Sequence, residues 1–256
     1  MITSQSPSPI SLERLVPDDL DDHDATGTET LELHLARYRF ARRFVAGGRV
    51  LDCACGVGYG SALLAEAERP PAEVMGVDVD PAAVGYAMRR YSSKRLAFKV
   101  GDGCHLRDAD GFDTIVSLET VEHVPDPSAL LSNFARLLRP GGSLVASVPV
   151  TPSVDVNPFH LHDFTEASFR KLAAAVGLVE IDCFSQTQPF SLWKIIAGSE
   201  ARLADMRQNI PLYYLSRPGA FMKRLKSLMT DGFCNKYLTI AWIKPLSPQA
   251  LESEAG

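Results

Sequence analysis

Three residues that can do chemistry lie close together in the chain: Glu119, Glu122 and His123. They follow the apolar run FDTIV and precede the segment DPSALL, whose Asp-Pro pair is typical of a helix start. Two carboxylates and an imidazole at this spacing can bind a divalent cation or move a proton. They can also be ordinary polar surface residues, so the elements around them must decide between these roles.

The composition is ordinary for a soluble globular protein. The 256 residues are 46% hydrophobic and 22% charged, and the net charge is −5. This charge argues against extensive contact with a nucleic-acid backbone. We expect no membrane span, because no apolar run is long enough, and no signal peptide, because the N-terminus lacks its basic and apolar regions. The five cysteines are scattered and odd in number, which predicts reduced thiols in a cytoplasmic protein.

After residue 30 the chain alternates between short apolar runs and amphipathic segments. Residues 1–30 are rich in Ser, Pro and Asp, which predicts a disordered tail. A helix is predicted from Leu31, and the predicted strands are RVLDCAC, EVMGVDV, RLAFKVG, FDTIVSL, SLVASVPV, LVEIDCF and KYLTIAWIKP. This alternation predicts one α/β domain over residues 31–256, built on a doubly wound, mainly parallel sheet. Residues 185–235 are an insertion before the last strand, a candidate lid, substrate-binding segment or dimer surface.

The candidate cofactor residues lie at the ends of the first three predicted strands, where ligands of such sheets bind. Gly56 and Gly58 allow a tight turn and a close backbone approach to a ligand. Asp78 can accept bonds from both ribose hydroxyls, and Asp102 is placed to face an adenine amine. Asp52, inside the glycine motif, suits an ammonium group. The site therefore fits an adenosine joined to an amino acid.

Five segments occur in an order that resembles the class I S-adenosylmethionine (SAM) methyltransferases: VLDCACGVGYGS, GVDVDP, GDGCHL, FDTIVSLETVEHVPDP and LLRPGGSLVASVP. The resemblance covers residues 35–185. It implies a seven-stranded Rossmann-like sheet of order 3-2-1-4-5-7-6 with an antiparallel seventh strand. It also implies SAM as cofactor, with contacts from Ala54, Val79, Gly103 and Glu119 besides the residues above. Ala54 stands where many members carry Gly.

The stretch ETVEHV resembles, more narrowly, the metal site of the ubiquinone-biosynthesis O-methyltransferases. It also resembles that of the small-RNA 2′-O-methyltransferases, which add a histidine beyond the fifth strand. This resemblance implies a Mg²⁺, Mn²⁺ or Zn²⁺ site formed by Glu119, Glu122, His123 and His160, with His162 as the near alternative. Two other interpretations stay open: His123 or His160 as a general base, or both histidines as structural residues.

We expect an enzyme that transfers a methyl group from SAM to an oxygen of a small molecule, such as a sugar, a diol or a catechol. Seven basic and two acidic residues over 191–230 would suit an anionic acceptor. Three alternatives stay open: an RNA 2′-O-methyltransferase, a metal-free methyltransferase with a histidine base, and a non-catalytic SAM-binding protein. Nucleic acid is the less expected partner, and a homodimer is one role for the insertion.

Overall fold

A seven-stranded mixed sheet forms the centre of the protein. The computed structural model describes residues 25–154, 157, 159–189 and 210–246. The strands are β1 (Arg49–Cys53), β2 (Glu73–Asp78), β3 (Leu96–Val100), β4 (Phe112–Leu118), β5 (Leu138–Pro149), β6 (Val179–Pro189) and β7 (Cys234–Ile243). Their order is β3-β2-β1-β4-β5-β7-β6, and β7 runs antiparallel to both β5 and β6. The predicted fold class and strand order are confirmed.

Helices connect the strands and cover the sheet. They are α1 (Ala25–Arg42), α2 (Tyr59–Ala65), α3 (Pro81–Tyr91), α4 (Pro127–Leu137), α5 (Glu166–Ala174), α6 (Ile210–Ser216) and α7 (Pro218–Asp231). Asp80, Asp126 and Thr165 cap α3, α4 and α5, each accepting a hydrogen bond from a backbone N–H of the first turn. Both Asp-Pro pairs therefore start helices, and the pair in DPSALL does so as the sequence predicts.

Two hydrophobic clusters lie on opposite faces of the sheet. Neighbouring residues of β1 divide between them, with Val50 in one cluster and Leu51 in the other, because strand side chains alternate between faces. Phe134 of α4 and Phe169 of α5 belong to the Leu51 cluster, whereas Tyr38 of α1 belongs to the Val50 cluster. Helices on both faces hold the parallel strands in place. The loops that follow these strands therefore lie together at one edge of the sheet.

Two predicted boundaries are wrong. α1 begins at Ala25 rather than Leu31, so residues 25–30 belong to the helix and not to the tail. Once the packed C-terminal half of a helix has formed, each further residue adds one backbone hydrogen bond. The helix can therefore extend through residues whose helix propensity is only moderate. β5 begins at Leu138, which pairs with Phe112 across a register shift. The Pro-Gly-Gly sequence at residues 140–142 therefore lies within the strand.

The 185–235 insertion is shorter than predicted, because its two ends belong to the sheet. β6 extends to Pro189 and β7 begins at Cys234, and the two strands pair along their length. Between them, α6 and α7 are described, whereas residues 190–209, like the predicted tail at 1–24, lie outside the described residues. Within the described part of the chain, no helix combines the length and the apolar character that crossing a membrane requires.

Candidate active site

The loop after β1 turns sharply at two glycines. Gly56 has φ 55° and Gly58 has φ 89°, a region that glycine enters without steric cost. A Cβ atom at Gly58 would lie 2.7 Å from the Cβ of Ala87 and 2.8 Å from the ring of Phe98. The loop therefore packs too closely on α3 and β3 for any other residue. Ala54 adopts φ 63°, a conformation that strains alanine and would not strain glycine.

Asp52 has no exposed surface. Its Oδ2 accepts a hydrogen bond from Ser61 Oγ at 2.5 Å, and its Oδ1 accepts one from the Tyr38 hydroxyl at 3.2 Å. Burial raises the pKa of Asp52 to about 7, with a contribution from the charge of Asp78, although the two hydrogen bonds oppose the shift. These bonds join β1 to α1 and α2, and the expected contact of Asp52 with an ammonium group stays a prediction.

Asp78 joins the end of β2 to the glycine loop. Its Oδ2 accepts the N–H of Gly56 at 2.8 Å, and its Oδ1 accepts the N–H of Asp80 at 2.9 Å. Each carboxylate oxygen has a second lone pair, so these bonds orient the side chain and leave it able to accept from a ligand. Val79, the next residue, is 64% exposed and offers an apolar surface at the same strand end. The predicted roles of Asp78 and Val79 in cofactor binding stay predictions.

Asp102 and Gly103 follow β3. The Asp102 carboxylate is half-exposed and accepts hydrogen bonds from the N–H of Cys104 and from His105 Nδ1, both at 2.8 Å. Burial raises the pKa of Asp102, but these hydrogen bonds outweigh it and the net shift is downward. Asp102 is therefore a carboxylate at neutral pH and can accept from an amine. A Cβ atom at Gly103 would lie 2.5 Å from Cys53 Sγ, so this loop packs directly on β1.

The loops after β4 and β5 bring three of the predicted metal ligands together. Glu122, His123 and His160 each place one ligand atom within 4.8 Å of the others. Glu122 is fully buried, and the rings of His123 and His160 meet edge to face with 4.6 Å between their centroids. The carbonyl of Glu122 accepts the N–H groups of Leu161 and His162 at 2.8 and 3.3 Å. This backbone pairing fixes the two loops to each other and explains the convergence.

Glu119 and His162 are not part of this group. The Oε1 atom of Glu119 accepts a hydrogen bond from Ser147 Oγ on β5 at 2.6 Å, and its backbone has φ 51°. His162 Nε2 donates to the carbonyl of Val124 at 3.0 Å. The convergent group thus contains His160 rather than His162, and the role of Glu119 as a fourth ligand stays a prediction.

The comparisons with known proteins agree with this geometry. Residues 51–146 match a family model described as a methyltransferase domain, and the strand order is the one that the family resemblance implies. The chain contains a methyltransferase domain and has the class I methyltransferase fold.

Two curated relatives and one solved structure are similar to this chain. A protein of Mycolicibacterium smegmatis named "Probable S-adenosylmethionine-dependent methyltransferase" is 34% identical over 146 residues, which is 54% of each chain. The ubiquinone biosynthesis O-methyltransferase of Xanthomonas oryzae pv. oryzae is 38% identical over 114 residues, or 43% of this chain and 46% of that protein. The chain spans about half the length of these relatives. The N-methyltransferase NodS of Bradyrhizobium japonicum, in complex with S-adenosyl-L-homocysteine, has a TM-score of 0.60 at 19% identity, covering 92% of this chain and 97% of that chain.

The protein also buries a charged side chain, that of Arg37, which the sequence did not predict. Arg37 of α1 is 1% exposed. Its Nε donates to Gln186 Oε1 at 2.7 Å, and its guanidinium lies 4.3 Å from the centroid of the Tyr237 ring. Its Nη1 lies 3.6 Å from Glu119 Oε1 and donates no hydrogen bond to a described residue. Arg37 thus links α1 to β6, β7 and the end of β4.

One sequence signal for Arg37 exists. It precedes Phe40 by three positions and Ala41 by four, and both of these residues are buried. Residues three and four apart share a helix face, so the pattern places an arginine on the buried face of α1. The partner residues on β6 and β7 have no comparable signal.

Proposed function

We propose that the protein transfers the methyl group of SAM to an oxygen of a small-molecule acceptor such as a sugar, a diol or a catechol, with the assistance of a divalent metal ion. The observation that carries the proposal is the convergence of Glu122, His123 and His160. These residues follow β4 and β5, whereas the glycine loop and Asp78 follow β1 and β2. All four strands are parallel, so the two sets of residues share one edge of the sheet.

The residues of the convergent group fit a divalent ion. One carboxylate and two imidazoles suit Zn²⁺ or Mn²⁺. Mg²⁺ is the alternative that prefers oxygen ligands to imidazole nitrogens. His123 Nδ1 lies 3.0 Å from the carbonyl oxygen of Phe159, which can only accept, so the proton belongs on Nδ1 and the lone pair of the neutral ring on Nε2. Glu122, His123 and His160 would hold the ion, and a bound ion would lower the pKa of an acceptor hydroxyl.

His160 fits a ligand better than a general base. Burial lowers the pKa of His160 to about 4, and the charge of His123 contributes in the same direction. The ring is therefore neutral at pH 7, as a metal ligand must be. A group with so low a pKa is a weak proton acceptor near neutrality. This supports the metal interpretation over the one in which His160 removes the acceptor proton.

The other residues bind and align the reactants. The sulfonium of SAM is already activated, so much of the work is to hold the acceptor oxygen in line with the methyl group and to exclude water. The glycine loop and Asp78 would bind the cofactor, with Asp52 keeping the loop in place. Glu119 lies between the two halves of the site and is held by Ser147 and Arg37.

The test is turnover with isotopically labelled SAM and a panel of acceptors. The panel contains diols, catechols and sugar nucleotides, with amines and RNA oligonucleotides as separate arms, and products are identified by mass spectrometry. We expect an O-methylated small molecule whose formation stops in excess chelator and resumes with Mg²⁺, Mn²⁺ or Zn²⁺.

Each other outcome assigns a different function. Full turnover in excess chelator would refute the metal and leave a histidine base to be tested by the pH profile. Methylated amine or RNA would move the activity to that acceptor class. SAM binding without turnover on any arm would identify a non-catalytic binding protein.

A further inference from the structure

The helices α6 and α7 expose an unusual number of large apolar side chains. We define the α6–α7 face by six exposed residues: Leu212, Leu215, Phe221, Met222, Met229 and Phe233. Leu215 and Met229 are each 80% exposed, and α7 contains no buried residue. Met222 and Met229 are seven positions apart, which is two helical turns, so they lie on the same side of α7. Large apolar side chains that are exposed and concentrated in one short segment point to an interaction site.

The charge of this face is opposite to that of the whole protein. Residues 210–233 contain four basic residues, Arg217, Lys223, Arg224 and Lys226, and one acidic residue, Asp231, so their net charge is 4 − 1 = +3. Asp231, the acidic residue of this segment, accepts a bond from Lys236 Nζ at 2.7 Å. The complete chain has a net charge of −5. The basic character is therefore concentrated where the apolar side chains are exposed.

We propose that the α6–α7 face docks on an anionic lipid bilayer, a property beyond the proposed function and independent of it. A helix that lies in a bilayer surface inserts apolar side chains below the headgroups and directs basic side chains to them. Lys223 and Lys226 follow Met222 by one and four positions and border its stripe. The long aliphatic stem of Lys226 can lie along the apolar layer while its ammonium group reaches a lipid phosphate. Lys223 Nζ lies 3.4 Å from Asp163 Oδ2 in a contact that is largely exposed, and it can exchange this contact for a lipid phosphate.

Two other occupants fit the face less well. In a symmetric dimer the same patch meets itself, so a second copy would bring the +3 surfaces of residues 210–233 together, and like charges oppose such contact. A nucleic acid would supply negative charge, but its backbone offers no apolar layer for Leu215 or Met229. A bilayer with anionic headgroups supplies both components.

Docking would bring the bilayer next to the candidate active site. A groove of about 420 Å³ separates α6 and α7 from the loop after β5 and includes Tyr213, Lys223 and Asp163 in its lining. Lys223 Nζ lies 3.4 Å from Asp163 Oδ2, and Asp163 Oδ1 accepts the N–H groups of Ser153 and Val154. Ser153 Oγ in turn lies 2.7 Å from His160 Nδ1. Helix α7 is thus in contact, through Lys223, with the loop that carries a candidate metal ligand.

The experiment is co-sedimentation of the full chain with phosphatidylcholine vesicles, prepared with and without phosphatidylglycerol. We expect retention on the anionic vesicles that weakens as NaCl is added. Met222→Ser/Met229→Ser should reduce the affinity about tenfold at low salt, because two apolar side chains no longer insert. Lys223→Glu/Lys226→Glu should remove the preference for anionic vesicles, a change of at least about tenfold. All four positions are exposed, so circular dichroism should show the wild-type fold.

Matched controls use exposed residues elsewhere on the protein. Val179→Ser/Ile181→Ser on β6 and Lys94→Glu/Lys99→Glu near β3 make the same chemical changes outside the face, and they should leave retention unchanged. Equal retention of wild type and face variants, or no retention of the wild type at low salt, would overturn the proposal. A dimer by light scattering that Met222→Ser/Met229→Ser dissociates, without an effect of lipid, would assign the face to a second copy and also overturn it.

Discussion

Arg37 Nη1 lies 3.6 Å from Glu119 Oε1, and the two side chains differ in exposure, at 1% and 17%. The distance is that of an ion pair rather than a hydrogen bond. Water can reach the carboxylate but not the guanidinium. Glu119 also holds a left-handed backbone, with φ 51°, at the end of β4, and such strain persists only where the surroundings enforce it. The pair therefore connects a strained residue of the site to the buried face of α1.

Because Arg37 is buried and Glu119 is partly exposed, single substitutions of the two residues should lower the free energy of unfolding by different amounts. Glu119→Gln leaves a buried guanidinium without a counter-charge and should lower the free energy of unfolding by about 3–5 kcal/mol. Arg37→Met leaves a carboxylate that water can solvate and should cost about 1–3 kcal/mol. Urea unfolding measures both, and the double variant should lose less than the sum of the two. A larger loss for Arg37→Met than for Glu119→Gln would contradict this account.

Asp78 should dominate the affinity for SAM. Asp78→Ala removes a carboxylate that is oriented by Gly56 and Asp80, and each lost charge-assisted bond is worth about 1.5–3 kcal/mol. We expect SAM to bind at least about tenfold more weakly by calorimetry. Asp110→Ala, at an exposed carboxylate on the loop between β3 and β4, is the control and should bind normally. Unchanged affinity in a folded Asp78→Ala protein would rule out the ribose assignment.

Metal binding should separate the two neighbouring histidines. His123→Ala removes a member of the convergent group, whereas His162→Gln changes a ring that donates to Val124. Titration with Mn²⁺, followed by electron paramagnetic resonance, should show at least about tenfold weaker binding for His123→Ala and wild-type binding for His162→Gln. SAM affinity should stay unchanged in both variants. Equal loss of Mn²⁺ in both would mean that His162, not the observed trio, completes the site.

The stability of the protein should carry a pH signature of Asp52. Its pKa is raised from 3.8 to about 7 by burial, so between these values the folded state holds a proton that the unfolded state has lost. The free energy of unfolding contributed by Asp52 therefore falls as pH rises through this window, by at most about 4 kcal/mol. His160 contributes the opposite slope between about 4 and 6.5, because its pKa is lowered.

Asp52→Asn isolates the first of these slopes. The difference in unfolding free energy between wild type and Asp52→Asn should shift in favour of the variant as pH rises from 4 to 7, as measured by urea unfolding at several pH values. His160→Gln is the companion variant, and its difference from wild type should shift the other way. A difference that does not vary with pH would show that Asp52 titrates normally.

The placement of the candidate cofactor residues was predictable from the sequence because its determinants are local. The glycine loop, Asp78 and Asp102 each follow a predicted strand directly, and parallel strands bring their carboxyl ends to one edge. His160 was predictable only through the family resemblance, since it lies in a loop distant in sequence from Glu122. The backbone pairing of Glu122 with Leu161 and His162 is what joins the two loops.

The Arg37 cluster shows what the sequence could not predict. Arg37 and Gln186 are 149 positions apart, and neither belongs to a motif whose spacing implies the contact. The surroundings of Asp52 were not predictable for a related reason. A carboxylate in a glycine motif suggests a ligand contact, but Ser61 and Tyr38 enclose it, and enclosure depends on how α1 packs.

The position of β7 between β5 and β6 has a consequence for biogenesis. β7 is the last strand in sequence, and β6 pairs in the sheet with β7 alone. During translation, β6 therefore leaves the ribosome with no strand to join, and the apolar edge of β5 stays open until residues 234–243 emerge. An open edge of this kind is prone to pairing with other chains. The nascent protein therefore carries an unpaired sheet edge while residues 150–233 are made, and in this interval pairing with other chains competes with folding.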